Sequence, residues 1–167
     1  MIVVAIVGIL AAIAAPQFTT MLRNNRASAA SSALQVSMNL ARSEAIKRGA
    51  DARVTIAAKD TAGQFQNGWT VFVDKTGNGS NGVAPLADSP TVTRLEVVAA
   101  PSSGLTFDKS ASANYITYNG QGRTDTPNIG ASYSFLQATS DKYCLIAKLG
   151  RVQAARVATA AACPTSP

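Results

Sequence analysis

Hydrophobic and polar positions divide this chain into three stretches with different periods. From Met1 to Ala15 nothing is charged or polar, so each side chain prefers lipid or a protein interior to water. A bilayer-spanning helix needs about 20 apolar residues, so the run is slightly short of a comfortable span. It is also too uniform for one face of a soluble helix, which would carry a polar stripe. Gly8 and Ala12, and then Ala11 and Ala15, stand four apart, a spacing of small residues that lets two helices approach closely. Pro16 removes a backbone donor and crowds the carbonyl of Ala12, so a helix through it must bend or loosen. The stretch reads as a helix suited first to lipid and then to packing against its own kind.

From Gln17 to Arg48 the pattern becomes amphipathic. Leu34, Met38, Ala41 and Ala45 share one face, with Ala30 and Ala27 extending the stripe backwards. Asn24, Asn25, Ser28, Ser31 and Gln35 fill other positions. Glu44 precedes Lys47 by three and Arg48 by four, the order that favours helix-surface ion pairs. Lys47 and Arg48 put positive charge at the negative end of the dipole, and Gly49 suits the residue past the helix end. A helix from near Met1 to Arg48 would be about 70 Å long, more than twice a membrane thickness. Its second half therefore stands outside any bilayer, and its apolar stripe needs a covering.

After Gly49 the period drops to two. Val54 and Ile56 alternate with Arg53 and Thr55, and Trp69, Val71 and Val73 with Thr70 and Phe72, as in half-buried strands. Asp74 to Gly82 is turn material. Val92 to Val98 predicts a strand with Leu95 and Val97 inward and Arg94 and Glu96 outward. Further strands are expected at Leu105 to Phe107, Tyr115 to Tyr118, around Tyr133 and Phe135, through Tyr143, Leu145, Ala147 and Leu149, and from Val152 to Val157. A Gly-rich turn spans Asn119 to Gly122. One long helix followed by six to eight short antiparallel strands is an α+β plan, with an antiparallel β-sheet domain packed on the helix stripe. The division expected is 1–22 as a hydrophobic transmembrane or filament-core helix and 23–167 as a soluble head. Within the head, 23–49 is the amphipathic half of the helix and 50–167 the sheet region.

Composition narrows the chemistry. Fifteen Lys and Arg against nine Asp and Glu give +6, which suits anionic partners but also simply keeps a lightly charged chain soluble. The absence of histidine excludes Ser-His and Cys-His nucleophile arrangements and the usual zinc sets, and no cofactor or metal is implied. Two cysteines, Cys144 and Cys163, lie near the C-terminus of a chain that reads as exported, which points to one disulfide. No CxxC spacing supports redox work. Charged residues are scattered without pairing, so nothing suggests an enzyme.

Three segments together resemble the type IV pilin-like proteins, in particular the GspH/FimT class of minor pilins and pseudopilins. They are Met1 to Pro16, with Gly8 and Pro16 where that family has its glycine and kinking proline, the helix-ending run Ala41-Arg42-Ser43-Glu44-Ala45-Ile46-Lys47-Arg48-Gly49, and the strand Gly68 to Asp74. The resemblance implies a lollipop-shaped structural subunit, held single-pass in the inner membrane and then extracted into a helical filament of like or related pilin subunits. That filament is an extracellular pilus or a periplasmic secretion pseudopilus. Ile2, Val3, Val4, Ile6, Val7, Gly8, Ile9, Leu10, Ile13 and Pro16 are the membrane and filament-core residues on this reading. The family has a basic leader, a peptidase site and a stretch like Phe-Thr-Leu-Ile-Glu-Leu ahead of the position matching Met1. Its glutamate is the residue that pairs with a neighbour's amine during assembly. Six more residues would bring the apolar run to about 22, so an upstream start is expected.

Other candidates are weaker. Gly150-Arg151-Val152-Gln153 is similar to a Gly-Arg-x-Arg motif that binds DNA in some FimT-type pilins, but Gln153 replaces the second arginine. Lys148 and Arg156 are the candidates to join Arg151 in binding DNA, although parity along one strand puts Lys148 on the face opposite Arg151. The alternative function is thus a DNA-binding minor pilin acting in DNA uptake, and the plainer reading is a surface strand. Asp74 to Gly79 echoes the start of a calcium loop, but Pro85 stands where the closing glutamate belongs, and a hairpin turn explains the same residues. Asn78-Gly79-Ser80 fits a glycosylation sequon within that turn. A third class, an exported soluble binding protein with residues 1–14 as signal peptide, lacks the basic residue that should precede the apolar core.

Overall fold

The computed structural model describes residues 1–49, 53–75, 91–124, 129–138, 140–148 and 150–164, leaving aside the side chains of residues 5 and 7–16. Helix α1 (Ile2–Arg48) runs without a break in its helical assignment through Pro16 and ends at Gly49. Gly49 has φ 79°, and its N–H returns to the carbonyls of Ala45 and Ile46, closing the last turn as a glycine can. Glu44 pairs with Arg48 at 2.9 Å and with Lys47 at 3.6 Å. Ala27, Ala30, Leu34, Met38, Ala41 and Ala45 are all buried, so the stripe read from the sequence is the face that packs.

The covering is two antiparallel sheets. The first contains β1 (Arg53–Ala58), β2 (Trp69–Asp74), β3 (Val92–Val98) and β5 (Tyr115–Tyr118), in the order β3-β2-β1-β5. The second contains β4 (Thr106–Lys109), β6 (Ser132–Leu136), β7 (Lys142–Lys148) and β8 (Arg151–Val157), in the order β4-β6-β7-β8. A short 3-10 turn, Phe65–Asn67, leads into β2. Its Phe65 lies 5.1 Å from the Phe107 ring and 6.0 Å from Trp69, while Trp69 meets Phe135 at 6.4 Å. A few aromatics thus join both sheets over the small side chains of the helix, where alanine lets the layers come close.

Three expectations change in the structure. β1 and β2 are buried on both faces, not half-buried: Ala57 and Phe72 form a second cluster on the side away from α1, with Val92 and Tyr115 against it. In β3 the inward and outward assignment fails at Glu96 and Val97, while Leu95 packs against the core as expected. Val97 is 52% exposed, while Glu96 reaches the helix and accepts a hydrogen bond from Ser37. The register slips between Val71 and Phe72, which oppose Glu96 and Arg94, so Leu95 is an extra residue and the parity changes across it. The third concerns Lys148, expected on the face opposite Arg151; it ends β7 and stands across the hairpin from β8. It is the direct cross-strand partner of Arg151, and partners in register share a face.

Candidate functional site

Two surfaces carry the residues singled out from the sequence, the leading end of α1 and the outer face of the second sheet. On the first, Ile2, Val3, Val4 and Ile6 are 78%, 72%, 73% and 52% exposed, and Phe18, Met21 and Leu22 continue the bare apolar surface. An exposed run of this kind marks an interaction or membrane surface. The side chains of Val7, Gly8, Ile9, Leu10, Ile13 and Pro16 lie outside the described residues, as does the loop holding Thr76 to Gly79 and the sequon. Among the described residues, no helix is long and apolar enough to cross a membrane.

Beyond this leading end, α1 is fixed to the sheets by polar contacts at three heights. The Oδ1 of Asn24 accepts the backbone N–H of Asp141, between β6 and β7, at 2.9 Å. Ser37 accepts the indole N–H of Trp69 at 2.9 Å and donates to Glu96 Oε2 at 2.6 Å, tying the helix to β2 and β3. Arg42 Nε donates to the carbonyl of Gly122 at 3.1 Å. Gly122 has φ 71°, and a Cβ there would sit 2.6 Å from Ile46 Cδ1, so the turn after β5 meets the helix only because this residue is glycine. The helix-ending run therefore divides its labour: Ala41 and Ala45 pack, Arg42 ties, Glu44 pairs outward and Gly49 stops the helix. Ser37 and Asn24 were not singled out in advance. Ser37 lies between Leu34 and Met38 in sequence, which is the signal that could have found it.

On the second sheet, Lys148 and Arg151 stand opposite each other at the end of the β7–β8 hairpin, and Gln153 shares their face. Arg156 does not join them. It is at the far end of β8, on the opposite face, where its Nε donates to Asp141 Oδ2 at 2.7 Å and its guanidinium lies 5.8 Å from the Tyr143 ring centre. The structure thus brings two of the three candidate DNA-binding residues together and engages the third with a carboxylate. Cys144, buried on the outer face of β7, is bonded to Cys163. This bond folds residues after β8 back across that face. There Ala160, Ala161, Ala162 and Cys163 wall a groove of about 390 Å³ whose floor includes Ser132, Ser134 and Lys142. Lys109, at its rim, donates to the carbonyl of Ala113 and to Asn114 Oδ1, and desolvation lowers its pKa from the ordinary lysine value. Among the described residues no group of three His, Cys, Asp or Glu could hold a metal ion.

A profile of the family described as Type II transport protein GspH matches residues 30–150. The fold is similar to that of the type IV minor pilin FimU of Pseudomonas aeruginosa strain PAO1 in two crystal forms. One form gives a TM-score of 0.56 at 20% identity, covering 77% of this chain and 87% of that one. The other gives 0.52 at 19% identity, covering 77% and 91%. No curated protein matches the chain significantly. The matched span begins within the buried stripe of α1, runs through the helix-ending run and the first sheet, and closes at the β7–β8 turn. The chain therefore belongs to the GspH family of type IV pilin-like structural subunits.

Proposed function

We propose that this protein is a subunit of a type IV pilus or a type II secretion pseudopilus, and that it polymerises through the leading part of α1. The observation that carries the reading is the exposure of Ile2, Val3, Val4 and Ile6 on a helix whose later turns are buried under two sheets. Lipid and a bundle of like helices both remove such side chains from water, so the segment can exchange one for the other at small cost. The inner membrane is its place before assembly. The FimU structures, of a minor pilin, and the GspH family's association with type II transport both support this reading.

The test is the full chain expressed with its export machinery. The parent chain should sediment with membranes and appear in sheared filaments, and Ile6→Asp should be lost from the filaments. A full-length chain that is monomeric in water without detergent would end the proposal. A second reading, DNA capture during uptake, is favoured by the Lys148–Arg151 pair. It requires Lys148→Ala and Arg151→Ala each to weaken a DNA mobility shift, with Arg156→Ala nearly silent. An unchanged shift with Arg151→Ala would remove it.

A further inference from the structure

Charge enters this chain abruptly. Residues 1–22 carry none, and Arg23 and Arg26 are the first two charged side chains. Phe18, Met21 and Leu22, just before them, are exposed and apolar. Arg23 stands four residues before Ala27 and seven before Ala30, so it continues the buried stripe of α1 one turn below the head. Ala27 is buried and Arg23 only half-buried, so the covering thins between them, and Arg26 is exposed. Their Cα–Cβ bonds tilt toward the helix N-terminus, as in any α-helix, and hence toward the leading segment. The second sheet adds cations at the same height. Asn24 takes the backbone N–H of Asp141 at 2.9 Å, which places the start of β7 beside this turn of the helix. Lys142 follows directly and pairs in register with Val157, the neighbour of Arg156. Arg23, Arg26, Lys142 and Arg156 therefore lie around the base of the head. Asp141 is the acid that the same contact brings there, and Arg156 already holds its Oδ2 at 2.7 Å.

We propose that this base is a seat for anionic phospholipid headgroups, held chiefly by Arg23 and Arg26 and flanked by Lys142. The inference rests on the membrane placement of the leading segment given under the proposed function. A charged side chain is costly in the hydrocarbon core, so the first charges after an uncharged run mark the polar boundary of a bilayer. The bare Phe18, Met21 and Leu22 then meet the interface, and the two guanidinium groups meet lipid phosphates. A planar guanidinium presents paired N–H donors that fit two phosphate oxygens, so arginine suits this task better than a point charge. Each Lys or Arg near an anionic surface is worth about fivefold in affinity, and salt weakens the effect within a Debye length. Arg156, engaged by Asp141, adds little to the seat. The contact would hold the head against the bilayer, and a subunit leaving the membrane would have to give it up.

The test uses the full chain in vesicles of equal phosphatidylcholine and phosphatidylglycerol, extracted in mild detergent, with the co-purified lipids counted by mass spectrometry. Phosphatidylglycerol should be enriched over phosphatidylcholine. Arg23→Gln and Arg26→Gln should each lower that ratio by about fivefold. Arg26→Lys, which keeps the charge, should restore most of it. Arg26 is exposed, so its variants read the seat even should Arg23→Gln fail to fold. Arg123→Gln removes the same charge beside Gly122, at the Arg42 end of the head, and should leave the ratio unchanged. A wash with inorganic phosphate should strip no more phosphatidylglycerol than chloride of equal ionic strength. Phosphate stripping it where chloride does not would make this a site for the free ion and overturn the proposal. A chain that enters the vesicles but shows the same ratio in the parent, Arg23→Gln and Arg26→Gln would overturn it too, leaving the membrane reading intact. A chain that never enters them would end both.

Discussion

Replacing Ser37 with alanine tests how the helix is held to the first sheet. The side chain is fully buried, and its single oxygen serves two partners, the indole N–H of Trp69 and the carboxylate of Glu96. Trp69 is itself 0% exposed, so alanine leaves its N–H with no access to water, a penalty of about 1–3 kcal/mol. Glu96 is only half-buried and can be rehydrated, so its share is smaller. A total loss of about 2 kcal/mol is expected, which for a chain of this size lowers the melting temperature by roughly 4–8 °C. Urea unfolding in mild detergent, followed by the fluorescence of the single tryptophan, should shift its midpoint at unchanged slope. Ser43→Ala is the control, because Ser43 is exposed and bonds within the helix, to the carbonyl of Leu40. If Ser37→Ala costs less than about 0.5 kcal/mol, like a surface change, the bridge contributes no stability and the reasoning fails. A cycle with Glu96→Gln would then show no coupling.

Three further outcomes follow from the same structure. Gly122→Ala forces a side chain into φ 71° and against Ile46, at a cost of about 1–2 kcal/mol in thermal melts, partly recovered by adding Ile46→Ala. Replacing both Cys144 and Cys163 with serine opens a loop of 19 residues and should remove about 3 kcal/mol in denaturant unfolding. Burial lifts Tyr118 and Tyr133 above the ordinary phenol value of 10.0, opposed at Tyr118 by the Arg42 charge. The folded state therefore keeps protons that the unfolded state releases, so stability holds below about pH 10 and declines above it. Tyrosinate absorbance from these two rings should rise only together with unfolding, and an earlier rise would contradict their burial.

The helix was legible because its stripe repeats at the helical period over five turns, from Ala27 to Ala45, with no competing pattern. The strands were legible wherever valine and aromatics alternate, as at Trp69, Val71 and Val73. The faces were less so. Nothing near Leu95 announces the bulge that turns Glu96 toward Ser37 and Val97 toward solvent, because a register slip belongs to a pair of strands and not to one. Alternation in β1 and β2 suggested one wet face, but Thr55 bonds Thr117 and Ala57 packs with Phe72, so small and hydroxylated side chains were compatible with burial. At the candidate DNA site, a strand parity was counted through Gly150, where the chain turns. The hairpin puts Lys148 beside Arg151, and Asp141, fifteen residues before Arg156, takes that arginine away. Sequence spacing carries no information about either encounter.

Three polar ties between α1 and the β-structure among the described residues have a mechanical consequence. Asn24, Ser37 and Arg42 sit roughly 20 Å and then roughly 8 Å apart along the rod, and each is anchored in a different part of the β-structure. Tension applied at the leading tip would run along the helix axis and load all three anchorages side by side, in shear, instead of peeling them open one after another. A head gripped in that manner yields as a unit, so a subunit hauled out by its stalk would keep its cap seated until several bonds gave way together.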